Sequence, residues 1–377
     1  MHGSREGGTG DPVMGDRPLL YIGCSPSLRK KFHKQESDSF FCARLYHEVD
    51  KHTKKEMTMK PRPFRFGVLC EQMDTQHAWV TKARQIEDAG YATLLIRDHF
   101  VREPFGDQFA PIAALMAAAD ATTTLRVGNL VLDNDYRHPV VLAKEAATLD
   151  VLSHGRFELG LGAGWAKREY EQAGIPFDAP GVRVSRLAEA LQVLKGLWGP
   201  GPLTFSGTSY TIEHLDGFPK PVQRPHPPIL VGAGGKRMLA LAAREATIIS
   251  FLMGDYSTGV EVDDPLKRVG AAVAQKLAWV RQAAGERFHD LELSMVLTAV
   301  RSEDQHRAAA RLAAERGWSS ISAEHVLDMP SMVIGSVEQM VEQLYQRRER
   351  YGFSYYIVTD QDMQTLAPVV AQLTGKA

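Results

Sequence analysis

The residues of this 377-residue sequence that are best suited to chemistry stand directly after short apolar runs. Asp98 and His99 follow the run Thr93–Ile96, and an imidazole suits proton transfer because its unperturbed pKa is about 6.5. Gly162-Ala163-Gly164-Trp165 follows a second apolar run, and Gly232-Ala233-Gly234-Gly235 follows a third. Because glycine carries no Cβ, a flat or anionic ligand can approach the backbone closely at such loops.

Each of these features also has a purely structural interpretation. A single histidine at the end of a strand often only orients its neighbours, and a glycine often only relieves a tight turn. Lys236 and Arg237 follow the loop Gly232–Gly235, where a helix N-terminus would add a further attraction for an anion. The loop matches neither a Walker motif nor a dinucleotide fingerprint. Phosphate binding and a packing turn therefore both remain open for it.

Strands that alternate with helices must position these residues. Strands are predicted at residues 64–70, 93–96, 125–132, 156–161, 229–231, 248–253, 293–300 and 355–358. Helices are predicted near residues 76–89, 111–121, 139–152, 187–197, 266–284, 305–315, 337–351 and 363–373, and from 236 onward. In the third of these helices, Leu142, Ala146, Leu149 and Leu152 recur at helical spacing and predict the inner face, with Lys144 opposite.

This alternation predicts an α/β fold, a (β/α)8 TIM barrel, with an insertion after the fourth βα unit. The insertion covers residues 199–226 and contains a small hairpin. A doubly wound sheet is the alternative, but it predicts a glycine-rich fingerprint where Cys70-Glu71-Gln72-Met73 stands. In a TIM barrel, catalytic groups lie at the carboxyl ends of the strands, where the residues introduced above are found.

Composition excludes several classes of function. Lysine and arginine number 44 against 45 aspartate and glutamate residues, so no basic footprint for nucleic acid is present. No apolar run approaches the ~18–20 residues that cross a bilayer, so no membrane partner is expected. The 3 cysteines lack metal-binding or CxxC spacing, which predicts no metal and a cytoplasmic setting.

Residues 1–60 differ from the rest, being polar and glycine-rich without a sustained period. They are predicted to be a disordered extension or a translation artefact, with Met57 or Met59 as the biological start. The barrel domain is predicted over residues 61–377.

The segment from Tyr136 to Trp165 resembles the luciferase-like monooxygenase superfamily and, within it, the branch that uses coenzyme F-420, a deazaflavin. The resemblance rests on Arg137-His138-Pro139, Ala146-Ala147-Thr148-Leu149-Asp150, Leu152-Ser153, Gly155-Arg156 and Gly160-Leu161-Gly162-Ala163-Gly164-Trp165. It implies an oxidoreductase that transfers hydride to or from a small organic substrate, and we expect a homodimer. An FMN-dependent monooxygenase using reduced flavin and O2, and a coenzyme-holding subunit without turnover, are the alternatives.

The resemblance also implies which residues contact the coenzyme. They are Asp98, His99, Leu130, Val131, Arg137, His138, Gly162, Ala163, Gly164, Gly232, Ala233, Gly234 and Gly235. Among them His99 is the expected catalytic residue, in proton transfer, and Gly232–Gly235 the phosphate loop. The family further implies a non-proline cis peptide at Leu130-Val131, behind the coenzyme ring.

One position departs from the sugar-phosphate dehydrogenases of this family. Those enzymes place a proton-donating glutamate directly after the glycine pair of the fourth strand, where this chain has Trp165. An indole cannot donate that proton, so sugar-phosphate dehydrogenase activity is not expected. Trp165 and Cys70 are candidates for an apolar substrate pocket, and packing at the rim is the alternative for Trp165.

Overall fold

The computed structural model describes residues 62–256 and 258–376, so the predicted N-terminal extension lies outside the described residues. The strands in this part of the chain are β1 Arg65–Cys70, β2 Thr93–Ile96, β3 Arg126–Asn129, β4 Leu132–Asp133, β5 Phe157–Gly162, β6 Leu203–Ser206, β7 Thr211–Leu215, β8 Ile229–Ala233, β9 Ile248–Phe251, β10 Glu292–Arg301, β11 Met332–Gly335 and β12 Phe353–Thr359. The helices are α1 Gln76–Asp88, α2 Pro111–Ala121, α3 Pro139–Leu152, α4 Lys167–Ala173, α5 Pro180–Trp198, α6 Lys236–Glu245, α7 Gly270–Ala284, α8 Gln305–Glu315, α9 Ala323–Asp328, α10 Val337–Tyr351 and α11 Met363–Leu373.

Eight parallel strands close into a barrel in the order β1, β2, β3, β5, β8, β9, β10 and β12. β12 pairs with β1 and β9 pairs with β10, which completes the circle and confirms the predicted (β/α)8 barrel. The strands are almost continuously apolar because both of their faces are buried. Leu69 and Leu95 belong to the cluster inside the barrel, whereas Val68 packs in the larger cluster with the surrounding helices.

Helix α3 has the predicted bounds and begins with Pro139 at its first position. Leu142, Ala146 and Leu149 are buried, and Lys144 is exposed, as predicted. Leu152 was wrongly placed on the inner face, because its side chain is 55% exposed. It is the last residue of the helix, where the chain already turns toward β5.

The structure differs from the predicted elements at the third strand and in three further segments. The third strand is not continuous over 125–132 but is interrupted between Asn129 and Leu132. Helices α4 and α9 and strand β11 were not predicted, and β11 extends the sheet by pairing with the outer part of β10. The predicted hairpin is present as the antiparallel pair of β6 and β7.

The amino ends of the strands are closed by an ionic cluster. The carboxylate of Glu158, which is 2% exposed, accepts hydrogen bonds from Arg65 and from Arg126, the latter at 2.5 Å. Arg65 also binds Glu292 at 2.7 Å and stacks on the ring of Tyr355. Burial alone would raise the pKa of Glu158, but the two guanidinium groups outweigh burial and lower it.

None of the helices in the described ranges combines the length and the apolar character needed to span a bilayer.

Candidate active site

The exit of strand β2 places an ion pair at the carboxyl end of the barrel. Asp98 is buried, and its carboxylate binds the guanidinium of Arg137 through two contacts, at 2.7 and 3.1 Å. It also accepts the backbone N–H of Asp133 at 3.0 Å. Burial alone would lower the pKa of Arg137, but the bonds to Asp98 raise it. Asp98 and Arg137 thus connect the exits of two neighbouring strands and fix their relative position.

The next residue, His99, is held by a carboxylate that comes from helix α4. Its Nδ1 lies 2.6 Å from Oε1 of Glu169, whose side chain is 3% exposed. The other oxygen of Glu169 accepts the backbone N–H of Phe100 at 2.9 Å. Within residues 62–256 and 258–376, Nε2 of His99 makes no hydrogen bond. Nε2 is therefore the ring nitrogen that is free to exchange a proton with a ligand.

The Leu130-Val131 peptide bond is cis, as the family resemblance implied. Glycines of two neighbouring strands make room for this segment. A Cβ at Gly160 would overlap the carbonyl oxygen of Asn129, and at Gly162 it would lie 2.7 Å from a methyl group of Val131. At Gly232 it would lie 3.3 Å from the other methyl group. These glycines therefore accommodate the protein's own Val131.

A buried acidic group lies beside this segment. Both carboxylate oxygens of Asp133 lie 2.8 Å from the hydroxyl of Tyr170, on α4. Gly164 has a φ of +76°, and a Cβ there would overlap that hydroxyl. Burial raises the pKa of Asp133 to about 7, and the carboxylates of Asp135 and Asp98 act in the same direction.

Trp165 belongs to an aromatic cluster above His99. Its ring meets those of His99, Phe105 and Tyr256 edge to face, with centroids 5.8, 6.2 and 5.2 Å apart. The guanidinium of Arg97 lies 3.8 Å from the centre of the Phe105 ring. The indole is half-buried, so Trp165 combines packing in the rim with a surface that faces the mouth.

The loop after strand β8 leads directly into helix α6. Gly232 and Ala233 are buried, whereas Gly235, Lys236 and Arg237 are exposed. Gly235 is the N-cap residue, and no side chain caps the helix from that position. Nothing lies within 4 Å of where a Cβ on Gly235 would stand. The N–H groups of the first turn and the ammonium group of Lys236 are therefore available to an anion, whereas the guanidinium of Arg237 donates to the hydroxyl of Ser185 at 2.8 Å.

Two open cavities adjoin these residues. One of about 460 Å³ is lined by His99, by apolar residues that include Met73 and Phe109, and by the polar side chains of Asp74, Arg102, Asp107 and Gln108. The other, of about 400 Å³, is lined by Arg137, His138, Arg186 and Tyr210 among others. His138 is exposed, and its Nδ1 accepts the N–H of Val140 at the start of α3.

Cys70 lines neither of these cavities. It is completely buried in the cluster between the sheet and the helices, because its side chain points away from the barrel interior. Burial raises the pKa of its thiol above the ordinary value. Its predicted place in a substrate pocket is therefore wrong. Ala163 packs against the same large cluster, next to Gly162.

The family model described as luciferase-like monooxygenase matches residues 63–355. This chain belongs to that family. The match covers the barrel from its first strand into its last, so it includes both His99 and the loop Gly232–Gly235. The predicted resemblance to the luciferase-like superfamily is confirmed.

Relatives within the family use two kinds of coenzyme. An F-420-dependent glucose-6-phosphate dehydrogenase from Kineococcus radiotolerans is 34% identical over 165 residues, which are 43% of this chain and 48% of that protein. An FMNH2-dependent dimethylsulfone monooxygenase from Pseudomonas putida is 29% identical over 206 residues, 52% of this chain and 56% of that protein. The chain thus matches about half the length of these curated relatives.

A solved structure of an F-420-dependent secondary alcohol dehydrogenase, in complex with an F-420–acetone adduct, has the same fold. The TM-score is 0.65 at 17% identity, over 82% of this chain and 99% of that one. Such a low identity supports the fold alone. The proteins that this chain resembles thus include F-420-dependent oxidoreductases and a flavin-dependent monooxygenase.

Glu169 and Tyr170 are the residues of this site that the sequence interpretation missed. The segment Lys167–Ala173 has no strong apolar period, so no helix was predicted there. Its acidic residues were therefore not assigned to any element near the site. One signal was present: Glu169 follows the strand exit at Gly164 and Trp165 by only a few residues, so it had to lie near the carboxyl end of the barrel. In the described part of the chain, no cluster of three or more histidine, cysteine or acidic residues could hold a metal ion.

Proposed function

We propose that this protein binds coenzyme F-420 at the carboxyl-end mouth of the barrel and transfers hydride between it and a small organic substrate. The placement of His99 carries the proposal. Its ring lines the cavity of about 460 Å³, at a strand exit next to that of the cis Leu130-Val131 segment, and one ring nitrogen is held by a buried carboxylate. A hydride transfer that reduces or forms a polar double bond also needs a proton donor or acceptor, and Nε2 can serve as one.

The protein's share of the chemistry is to bind, to orient and to exchange a proton. The coenzyme, when bound, supplies the hydride chemistry. Asp98 and Arg137 hold the exits of β2 and β3 in register, and Val131, in the niche formed by its glycines, presents an apolar surface to the mouth. These groups are fixed before any ligand enters. Less entropy is therefore lost when the reactive arrangement forms.

The coenzyme phosphate is proposed to bind at Gly234 and Gly235. The residues present fit a phosphate: the helix start lacks a side-chain cap, the space beside Gly235 is open, and Lys236 and Arg237 are exposed. Gly232 and Ala233, being buried, position this loop and do not touch the anion themselves. His138, beside Arg137 in the second cavity, is the most peripheral of the proposed coenzyme contacts.

The substrate is proposed to be apolar and uncharged near its reacting atoms. Trp165, Phe105 and Tyr256 form an aromatic surface beside His99, and it carries few polar groups for the hydroxyls of a sugar, because the phenol of Tyr256 already bonds Glu261 at 2.7 Å. Trp165 also occupies the place of the proton-donating glutamate of sugar-phosphate dehydrogenases. We therefore separate the activity of this chain from the glucose-6-phosphate dehydrogenases that it resembles in sequence.

A binding titration followed by turnover tests the proposal. Purified protein is titrated with oxidised F-420 and with FMN by absorbance and fluorescence. Reduced coenzyme is then mixed with a panel of carbonyl compounds and activated alkenes while O2 uptake is recorded. Binding of F-420 and substrate-dependent oxidation without O2 uptake would support the proposal. Preferential binding of FMN together with O2 uptake would instead indicate a monooxygenase. Tight binding of F-420 without turnover would indicate a coenzyme-holding subunit.

A further inference from the structure

The carboxylate of Glu169 contacts two polar groups at the exit of strand β2. One belongs to the imidazole ring of His99 and the other is a backbone N–H. Oε1 lies 2.6 Å from Nδ1 of His99, and Oε2 accepts the N–H of Phe100 at 2.9 Å. The carboxylate is 3% exposed, and the imidazole is 9% exposed. A buried carboxylate in contact with an imidazole stabilises the protonated ring and selects the Nδ1–H form of the neutral one.

The position and orientation of the Glu169 carboxylate do not depend on His99. Tyr170, the following residue, is completely buried and bonded to both oxygens of Asp133 at 2.8 Å. Gly164 is compatible with this arrangement only because it lacks a Cβ. The helix that carries Glu169 is thus held in place by other contacts, so its carboxylate is positioned before His99 changes its protonation state.

We infer that Glu169 is a positioning residue for His99, which holds Nδ1–H and directs Nε2 toward the reacting atoms. The inference rests on the proposed function. In the direction of substrate reduction, hydride from the reduced coenzyme forms the new C–H bond, and the electron pair of the polar double bond takes the Nε2 proton. His99 becomes neutral, keeps its Nδ1–H bond to Glu169, and regains a proton from water. In the reverse direction Nε2 accepts that proton.

The arrangement also explains why Trp165 is compatible with catalysis. The chain has lost a carboxylate at the position directly after the glycine pair, but Glu169 is four residues further on and lies behind the imidazole. The acidic group therefore acts through His99, and the space next to the substrate is left to an apolar ring.

Two substitutions separate this role from a purely structural one. Glu169→Gln keeps the size of the side chain but removes its charge. Its amide has one oxygen, so it cannot accept from both His99 and Phe100 as the carboxylate does. Glu169→Asp keeps the charge with a shorter reach. Both variants are compared with wild type in unfolding, so that only folded protein enters the comparison.

The first readout needs no coenzyme. Nitrogen-15 chemical shifts of the ring of His99, assigned by the loss of its signals in His99→Asn, report which ring nitrogen carries the proton. Wild type is expected to show Nδ1–H in the neutral ring, and Glu169→Gln a mixture of both forms. Nε2–H as the dominant neutral form in wild type, or unchanged shifts in Glu169→Gln, would overturn the inference.

The second readout separates turnover from binding. Glu169→Gln should lower kcat about 10–100-fold, as substitutions of groups that orient a functional histidine do, while KM and coenzyme affinity stay within about threefold. Glu169→Asp should recover part of the lost turnover. Wild-type kcat in Glu169→Gln would overturn the inference. Failure of the proposed function is distinguishable, because it would appear as a wild-type protein that binds no F-420, while the chemical shifts still report on His99 and Glu169.

Discussion

The two ends of the barrel use the same residue types with different charge balances: two arginines face two glutamates at the amino end, whereas acids outnumber cations at the carboxyl end. At the amino end, Glu158 lies between two guanidinium groups, and its pKa is lowered. At the carboxyl end, buried acids outnumber the cations. Asp98 binds Arg137, Asp135 binds Arg186 and Glu169 binds His99, while the partners of Asp133 among the described residues are hydroxyl and backbone groups. Two guanidinium groups lower the pKa of Glu158, whereas burial raises the pKa of Asp133.

This difference separates a closed end from a reactive end. The amino end is a set of satisfied ion pairs whose loss should cost stability and leave the chemistry intact. The carboxyl end holds Asp133, whose burial raises its pKa to about 7, and the proposed catalytic residue His99, so variants there should affect turnover, ligand affinity and the pH dependence of folding. The following predictions test this separation.

The largest effect is expected for His99→Ala. It removes the ring nitrogen that we propose exchanges the proton, and it should lower turnover about 10²–10⁴-fold, the range typical of a positioned acid or base. Coenzyme affinity should fall much less, because backbone and phosphate contacts remain. Stopped-flow oxidation of reduced coenzyme measures turnover, and a binding titration measures coenzyme affinity. His99→Asn is the matched control: activity in Asn but not in Ala would mean that the ring only orients its neighbours.

At the closed end, Glu158→Gln should lower the free energy of unfolding by about 3 kcal/mol, because two guanidinium groups lose their shared partner in a buried place. Turnover of the folded variant should equal that of wild type. Urea unfolding provides the measurement. Glu315→Gln, which breaks a pair exposed by more than half on α8, is the control and should cost less than about 0.5 kcal/mol. Equal losses in the two variants would contradict the assigned role of the cluster.

Asp133→Asn should alter the pH dependence of stability. The folded pKa of about 7 lies above the ordinary aspartate value of about 3.9, so between these values folding takes up a proton and wild type loses stability as pH rises. The asparagine variant lacks this contribution. The stability of wild type relative to the variant should therefore fall by about 2 kcal/mol from pH 5 to 7 and then level off. A difference that is constant with pH in urea unfolding would show that Asp133 is ionised throughout.

The smallest effect is expected in the proposed phosphate loop. Gly235→Asp places a carboxylate at an open N-cap, which should stabilise helix α6 and repel the phosphate. Coenzyme affinity should fall about tenfold, or ~1.4 kcal/mol, while the melting temperature stays the same or rises. Gly235→Ser caps without charge and is the control. Gly234 is a poorer test site, because a Cβ there would lie 3.0 Å from the carbonyl oxygen of Leu252. Undiminished affinity in Gly235→Asp would remove this loop from the coenzyme site.

The sequence predicted the parts of the molecule that follow from local pattern. Most of the apolar strands, helix α3 and the barrel were correct because hydrophobic period and helix ends depend on neighbours in the chain. The cis Leu130-Val131 bond was found only through the family resemblance. Glu169 was missed because its meaning depends on a contact 70 residues away. Cys70 was misplaced because the chain's pattern did not show which face of β1 points into the barrel.

The niche around Val131 has a consequence at the level of the gene. Every non-synonymous change in a glycine codon adds at least a Cβ, and at Gly160 that atom would overlap the backbone of Asn129, which no change of side-chain rotamer can relieve. At Gly162 and Gly232 it would press on Val131 at 2.7 and 3.3 Å. Substitutions at Gly160 have no partner substitution that could compensate, since the obstacle is main chain. Those at Gly162 and Gly232 do, because a smaller residue at position 131 would free the space. In a selection for function, position 160 should therefore stay fixed, while substitutions at positions 162 and 232 should be found together with a smaller residue at position 131.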